Sequence, residues 1–376
     1  MKRTILLLTT LVLVSLLVAC GIKTQTPQLE TRAPAPTAKP TELPMPTPLP
    51  TESPTDTPPP PTALPTDTPP PPTESPTDTP APSPTDTPTT QPQPQAAALA
   101  GRFFFPVFDA EAATYNIFSA KPDGSDRKMV VAEASQPTVN STGQRIAFRS
   151  WQADNRGLIE RGVEGGDIWR FDSYFEAARP TFSPDDQIFL FQSREGGEKP
   201  AIYRTVGLEY EVLRREANPI QGEAPAWTPD GNSFVYKGCL GTNCGLILSG
   251  LDGSSPQQLT QNLSDTNPAV SPDGKTIVFM SQSNGTWDVY MVGIDGTGRK
   301  QLTTDPDNDG LPIWLSGGKM IAFVSDQSGE WAMWAMNANG GNQHLLFELG
   351  GSIDGTVQID VQDSFGWLEE SIDWAP

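Results

Sequence analysis

The stretch "SPDGKTIVFMS", residues 271–281, decides the fold, because the chain repeats it in altered form. "TPDGNSFVYKG" stands at 228–238, "SPDDQIFLFQS" at 183–193, "STGQRIAFRS" at 141–150 and "SGGKMIAFVS" at 316–325. The first four residues are turn chemistry. Serine accepts a local hydrogen bond, proline presets φ, aspartate tolerates the third place and glycine suits the fourth, as in a type I turn. In the strand that follows, Ile277 and Phe279 face one way and Thr276 and Val278 the other. The alternation is imperfect, as expected where sheets pack on both faces.

Working outward, the aromatic residue of each copy falls into register. Phe105, Phe148, Phe191, Tyr236, Phe279 and Phe323 are spaced by 43, 43, 45, 43 and 44 residues. Before five of them stands a proline-led strand: "QPTVN" at 136, "RPTFS" at 179, "APAWT" at 224, "NPAVS" at 267 and "LPIWL" at 311. After each comes an apolar pair, "NIF" at 116, "DIW" at 167, "AIY" at 201, "LIL" at 246, "DVY" at 288 and "AMW" at 332. Hairpin turns follow at Asp123-Gly124, Asp252-Gly253, Asp295-Gly296 and Asn339-Gly340. Four strands per period of about 43 residues is the signature of a β-propeller.

The spacing, the SPDG turn and the "IxF" strand resemble the TolB-type, WD-repeat-like propeller repeats of bacterial envelope proteins, over essentially all of 101–376. The best copies are 224–260 and 267–303; "NSTG" at 140 and "LSGG" at 315 depart from the turn consensus, and "SPDD" at 183 lacks the glycine. The first copy has no inner strand before "GRFFFPVF". "SIDWAP" at 371–376 aligns with "APAWTP" at 224–229, Trp374 matching Trp227. The expected fold is therefore an all-β, six-bladed propeller of four-stranded blades over 100–376. It is closed by the C-terminal strand beside Phe105 and carries an insertion around 348–366. Such closure leaves few exposed sheet edges.

The N-terminal residues read as an address. A basic "MKR" precedes the apolar run "TILLLTTLVLVSLL", which ends in "LVACG". This is similar to a bacterial lipobox, in which residues 1–19 are removed and Cys20 is lipidated, giving an extracytoplasmic, membrane-anchored protein. The alternative is an uncleaved membrane helix. Residues 20–99 hold 25 of the 40 prolines from position 24 onward and no Trp, Phe or Tyr, so the expectation is a disordered linker, either a passive spacer or an O-glycosylated stalk.

The formal charge of −20 disfavours binding to nucleic acid, and to anionic lipid beyond the anchor. The one histidine, His344, falls in an outermost hairpin and is expected at the surface without a role; no second histidine exists for a histidine-based metal site or a Ser-His pair. Similar propellers gate certain oligopeptidases, but no hydrolase motif is present. Cys239 and Cys244 in "KGCLGTNCGL" are expected to form a disulfide in an oxidising compartment. "DPDNDG" at 305–310 places Asp305, Asp307 and Asp309 before Gly310, as in the first half of a calcium loop; Ser316 stands where the bidentate glutamate belongs. Solvated loop and weak calcium site both remain open.

The connections between blades should reach one face, around the channel mouth. They carry Glu133, Glu176, Glu216, Glu223 and Asp265 besides Asp305, Asp307 and Asp309, which make either a merely soluble surface or a binding face for a basic or peptidic ligand or for divalent cations. The resemblance implies an envelope partner, since TolB-type propellers bind a peptidoglycan-associated lipoprotein, although no TolB-like N-terminal domain is seen. Two functions follow as expectations. One is a monomeric, non-catalytic recognition module for a protein, peptide or wall polymer. The other is a metal-dependent hydrolase or lyase built on the propeller.

Overall fold

Each repeat folds into a four-stranded antiparallel sheet, because the turn chemistry sits between runs of β-branched and aromatic residues. The computed structural model describes residues 99–171, 176–194, 199–206, 209–358 and 364–376. Cys20 and the linker lie outside them. From the channel outward, blade 1 is Asp373–Ala375, Arg102–Asp109, Thr114–Ala120 and Lys128–Val131. Blade 2 is Ala134–Val139, Arg145–Ser150, Gly157–Gly162 and Ile168–Arg170. Blade 3 is Ala178–Phe182, Phe189–Ser193, Ala201–Val206 and Glu209–Val212, and blade 4 is Gly222–Trp227, Ser233–Leu240, Asn243–Gly250 and Gln257–Gln258. Blade 5 is Thr266–Val270, Thr276–Ser283, Thr286–Gly293 and Lys300–Gln301, and blade 6 is Asp309–Leu315, Met320–Ser325, Ala332–Asn337 and His344–Glu348. No helix among the described residues is long and apolar enough to cross a membrane.

The aromatic register is the core register. Phe105, Phe148, Phe191, Tyr236, Phe279 and Phe323 are all buried in second strands. Across the ladder they face Phe118, Ile159, Tyr203, Ile247, Tyr290 and Trp334. In five blades the partner comes from the predicted apolar pair. Blade 2 differs. There the third strand is Gly157–Gly162, and "DIW" at 167 supplies the outer strand, where Ile168 and Trp169 are exposed. The pair stands nineteen residues after Phe148, far enough for one more strand to intervene.

The turns behave as their residues dictate. Thr276 N–H donates to Ser271 Oγ at 2.9 Å, Lys275 N–H to Asp273 Oδ1 at 3.1 Å, and Gly274 takes φ 70°. In "SPDD", Asp186 occupies the glycine place at φ 58°, a region that aspartate tolerates better than most residues. Its carboxylate accepts the Ser141 N–H and hydroxyl from blade 2, so the departure from consensus ties two blades together.

Ring closure is as expected: Trp374 pairs with Phe103, two residues before Phe105, as Trp227 pairs with Phe234, two residues before Tyr236. Trp374 is half-buried against the core. Inner-strand tryptophans also link neighbouring blades. Trp227 Nε1 donates to the Thr181 carbonyl and Trp314 Nε1 to the equivalent Ala269 carbonyl. The insertion before the closing strand contains a short hairpin, Val357–Gln358 with Ser364–Phe365, and a single 3-10 turn, Trp367–Glu369. Tyr115 Oη anchors it by donating to the Ile353 or Gly355 carbonyl. At Gly355 a Cβ would meet the Phe108 ring at 2.0 Å, so only glycine allows this approach.

Candidate functional site

The channel wall is set by one repeated dipeptide. Pro137, Pro180, Pro225, Pro268 and Pro312 line it, each preceded by a non-glycine residue with positive φ. These are Gln136 (56°), Arg179 (53°), Ala224 (50°), Asn267 (50°) and Leu311 (51°). Left-handed backbone is uncommon for such residues, and a following proline disfavours the compact regions further. In all five, the strand pairing shifts register at this point, so each strained residue sits in a β-bulge. Recurring local strain of this kind marks a place where the fold holds a wall in a fixed shape. The sixth place, Ser371-Ile372, has no proline.

Arg179 closes the channel part-way along. Its Nη1 donates to Asn267 Oδ1 at 2.7 Å, its Nη2 to the Leu368 carbonyl at 2.5 Å and its Nε to the Glu369 carbonyl at 3.2 Å. It therefore reaches from blade 3 to blade 5 and to the turn before the closing strand. Burial lowers its pKa, opposed by Glu369, Glu223 and Glu370. Trp367 packs against Trp287 and Trp331, at centroid distances of 6.3 and 5.2 Å, and holds the same turn from the other side.

Beside this clasp lies a buried charge cluster. Glu370 is 1 % exposed, and its Oε2 accepts the Gln136 N–H at 2.9 Å. Burial pushes its pKa up to about 8, with the Gln136 N–H, the nearby Ser135 hydroxyl and Arg179 pulling the other way. Arg149 is fully buried, its guanidinium 4.4 Å from the Trp151 ring and 4.0 Å from Phe365. Burial lowers its pKa to about 9 against the attraction of Glu370 and Glu176.

Where the inner strands begin, a hollow of about 410 Å³ opens above the clasp. Two ion pairs lie on its wall, Arg194 with Glu176 at 3.5 Å and Lys237 with Glu223 at 3.4 Å. Trp287 and Phe365 supply aromatic surface. The hollow thus carries both signs of charge within an acidic protein.

The five predicted acidic residues separate accordingly. Glu176 and Glu223 line the hollow, each beside a cation. Glu133 is exposed in the connection to blade 2, and Glu216 is exposed in the turn of the small hairpin Arg214–Arg215/Asn218–Pro219; neither lines the hollow or the channel. Asp265 is 0 % exposed and pairs with Arg299 at 3.0 Å, which makes it a structural ion pair and not a ligand-facing group.

The calcium expectation meets a different geometry. Asp305 Oδ1 accepts the Asp307 N–H, while Asp309 is wholly buried as the first residue of an inner strand, which burial holds at a pKa of about 8. Among the described residues no three His, Cys, Asp or Glu side chains are gathered to hold a metal ion. His344 is a further correction. It is 6 % exposed, with Nδ1 2.9 Å from the Asn342 carbonyl, where a surface position was expected. Cys239 and Cys244 stand opposite each other across the hairpin and are joined by a disulfide.

Arg179, Gln136, Asn267 and Glu370 were not among the predicted residues. A signal existed: three of them occupy the place before an inner-strand proline, where the repeat varies most in chemistry.

Residues 207–360 match the TolB beta propeller domain family. Among solved structures, TolB from Acinetobacter baumannii is similar at 20% identity and a TM-score of 0.59, covering 73% of this chain and 67% of that one. A putative TolB from Agrobacterium tumefaciens is similar at 20% identity and 0.52, covering 74% and 99%. Hydrazine synthase from Kuenenia stuttgartiensis shares the fold at 10% identity and 0.55, covering 67% and 45%. At these identities the likeness concerns the fold. No curated protein sequence matches.

Proposed function

Because the described residues form a β-propeller of the TolB type, we propose that this chain is a non-catalytic recognition module that binds a peptide segment or envelope polymer in the hollow above Arg179. The observation that carries the reading is the hollow itself. About 410 Å³ suits a few side chains, and Arg194, Lys237, Glu176 and Glu223 offer hydrogen bonds of both polarities beside Trp287 and Phe365. Rigid aromatic and arginine side chains are the usual anchors of such contacts. In this reading Cys20 is the lipid anchor, the proline-rich segment is the tether, and the hollow faces partners outside the cytoplasmic membrane.

The test is a binding screen of the purified protein in detergent against arrayed charged peptides and muropeptides. Arg194→Glu combined with Lys237→Glu should weaken the best binder by about tenfold or more, as loss of charged hydrogen bonds does. Equal affinity in the folded double variant would remove the hollow as the site.

A further inference from the structure

The hollow above Arg179 is balanced in charge by its own lining. Glu176, Glu223 and Glu369 stand against Arg179, Arg194 and Lys237. A charged ligand would leave one group there without a counterpart, so the wall favours an uncharged guest that both donates and accepts hydrogen bonds. The Arg179 clasp closes the floor, so a guest enters and leaves by the same mouth.

Three side chains of blades 3 and 4 present uncommitted polar groups to this hollow. Gln192 is half-buried, and its Oε1 accepts the Ala224 N–H at 2.7 Å. That bond settles which end of the amide faces which way: Nε2 is the end left over, and it donates to no described residue. Ala224 follows Glu223, which stands opposite Lys237 in the blade 4 ladder, so the three side chains lie on neighbouring strands. The Lys237 and Glu223 side chains are 33 % and 37 % exposed, and their ion pair is 3.4 Å long, beyond an ordinary N–H···O hydrogen bond. Neither has another partner among the described residues. Two donors and one acceptor are therefore open to solvent together. Trp287, half-buried, lines the same hollow from blade 5.

Resting on the reading of this hollow as the binding site, we propose that its guest is an uncharged secondary amide on a sugar ring, an N-acetylhexosamine unit of a polysaccharide. The amide carbonyl accepts from Gln192 Nε2 and Lys237 Nζ, and the amide N–H donates to Glu223. The acetamido methyl and the C–H face of the ring pack on the Trp287 indole, whose amphipathic surface suits a guest that is apolar on one side. A hydroxyl in the acetamido place is too short to engage donors and acceptor at once, and the group it leaves unpaired counts against it. A volume of about 410 Å³ lies in the range of small-ligand sites.

Calorimetric titration of the full-length protein in detergent with triacetylchitotriose tests this. Cellotriose carries hydroxyls in place of the acetamido groups, and blocked trialanine carries amides without a sugar. Saturable binding of the acetylated trimer below about 10 mM is expected, with both comparison ligands weaker by about tenfold or more. Gln192→Glu keeps the acceptor for Ala224 and removes the donor, and should weaken the trimer by about tenfold or more. Lys237→Met should do the same, and it keeps the test open if the first variant fails to fold. No saturable binding of the trimer, equal binding of cellotriose or trialanine, or unchanged affinity in the folded variants would overturn the proposal. If the trimer fails, a peptide that binds the parent and not the Arg194→Glu, Lys237→Glu variant keeps the hollow as a recognition site; if every ligand fails, both readings fall.

Discussion

Trp374 lies directly opposite Phe103 in the closing strand pair, their rings 4.6 Å apart at the centroids, so the last residues of the chain complete the sheet that its first described strand begins. Asp373 and Ser371 extend the closure to blade 2. The aspartate accepts from Thr138 and Val139, and the serine hydroxyl donates to the Pro137 carbonyl.

Deleting residues 371–376 should therefore remove an inner strand together with its ties to blade 2. Truncation of a large aromatic alone typically costs about 3–5 kcal/mol when buried. Trp374 is only half-buried, but strand pairing and three hydrogen bonds go with it. A fall in Tm of about 10 °C or more is expected by calorimetry. A truncated chain with unchanged Tm and protease resistance would falsify the closure.

Arg179→Ala should leave Asn267 Oδ1 and the Glu369 carbonyl without their donor inside the channel, and the Leu368 carbonyl with the Asn267 amide alone. Unpaired buried acceptors cost about 1–3 kcal/mol each. Arg179→Lys should rescue little of this, since a lysine cannot present three donors in a planar fork. Hydrogen exchange at residues 366–370 reads the effect locally. Protection equal to the parent in both variants would show that the clasp does not hold the turn.

The Cys239–Cys244 bridge closes a loop of only a few residues, so its effect is small. The chain-entropy relation gives about 2 kcal/mol, or roughly 4–8 °C in Tm, on replacing both with serine. Non-reducing peptide mapping of the exported protein should recover the two cysteines in one linked peptide. Free thiols at both positions in fresh material would contradict the pairing.

Stability should fall as pH rises from about 4.5 toward 8. Glu370 and Asp309 both have folded-state pKa values raised to about 8, so between their unfolded values and 8 the native state holds protons that the unfolded state has released. With more protons on the native side, unfolding becomes easier as pH increases, and the slope ends above 8 where both states are charged. Glu370→Gln and Asp309→Asn should each flatten the pH profile of Tm and raise Tm at pH 8.5 by several degrees, about 2–4 °C per kcal/mol. A parent profile that climbs through this range contradicts the sign. Calcium at millimolar concentration should leave Tm unchanged. A rise that depends on Asp309 would restore the calcium loop.

What the sequence determined by itself is the ring. The 43-residue register of Phe105 through Phe323, the SPDG turns and the match of Trp374 to Trp227 are local and repeated, so each copy confirms the others and the strand count follows from chemistry within about forty residues. Even its misreading, "DIW" in blade 2, came from a copy that keeps the period but places the apolar pair nineteen residues after Phe148. The channel was decided elsewhere. Asp265 reads as a surface acid until Arg299 is folded against it, and His344 as a surface group until the fold buries it. Gln136, Arg179 and Asn267 stand one repeat or more apart in sequence, and Glu370 follows the insertion near the chain's last strand. Only closure of six blades brings them to one axis, where burial sets the charge of Glu370 and the reach of Arg179. Periodicity reports which residues share a position in the repeat; burial and contact across the channel depend on the ring as a whole.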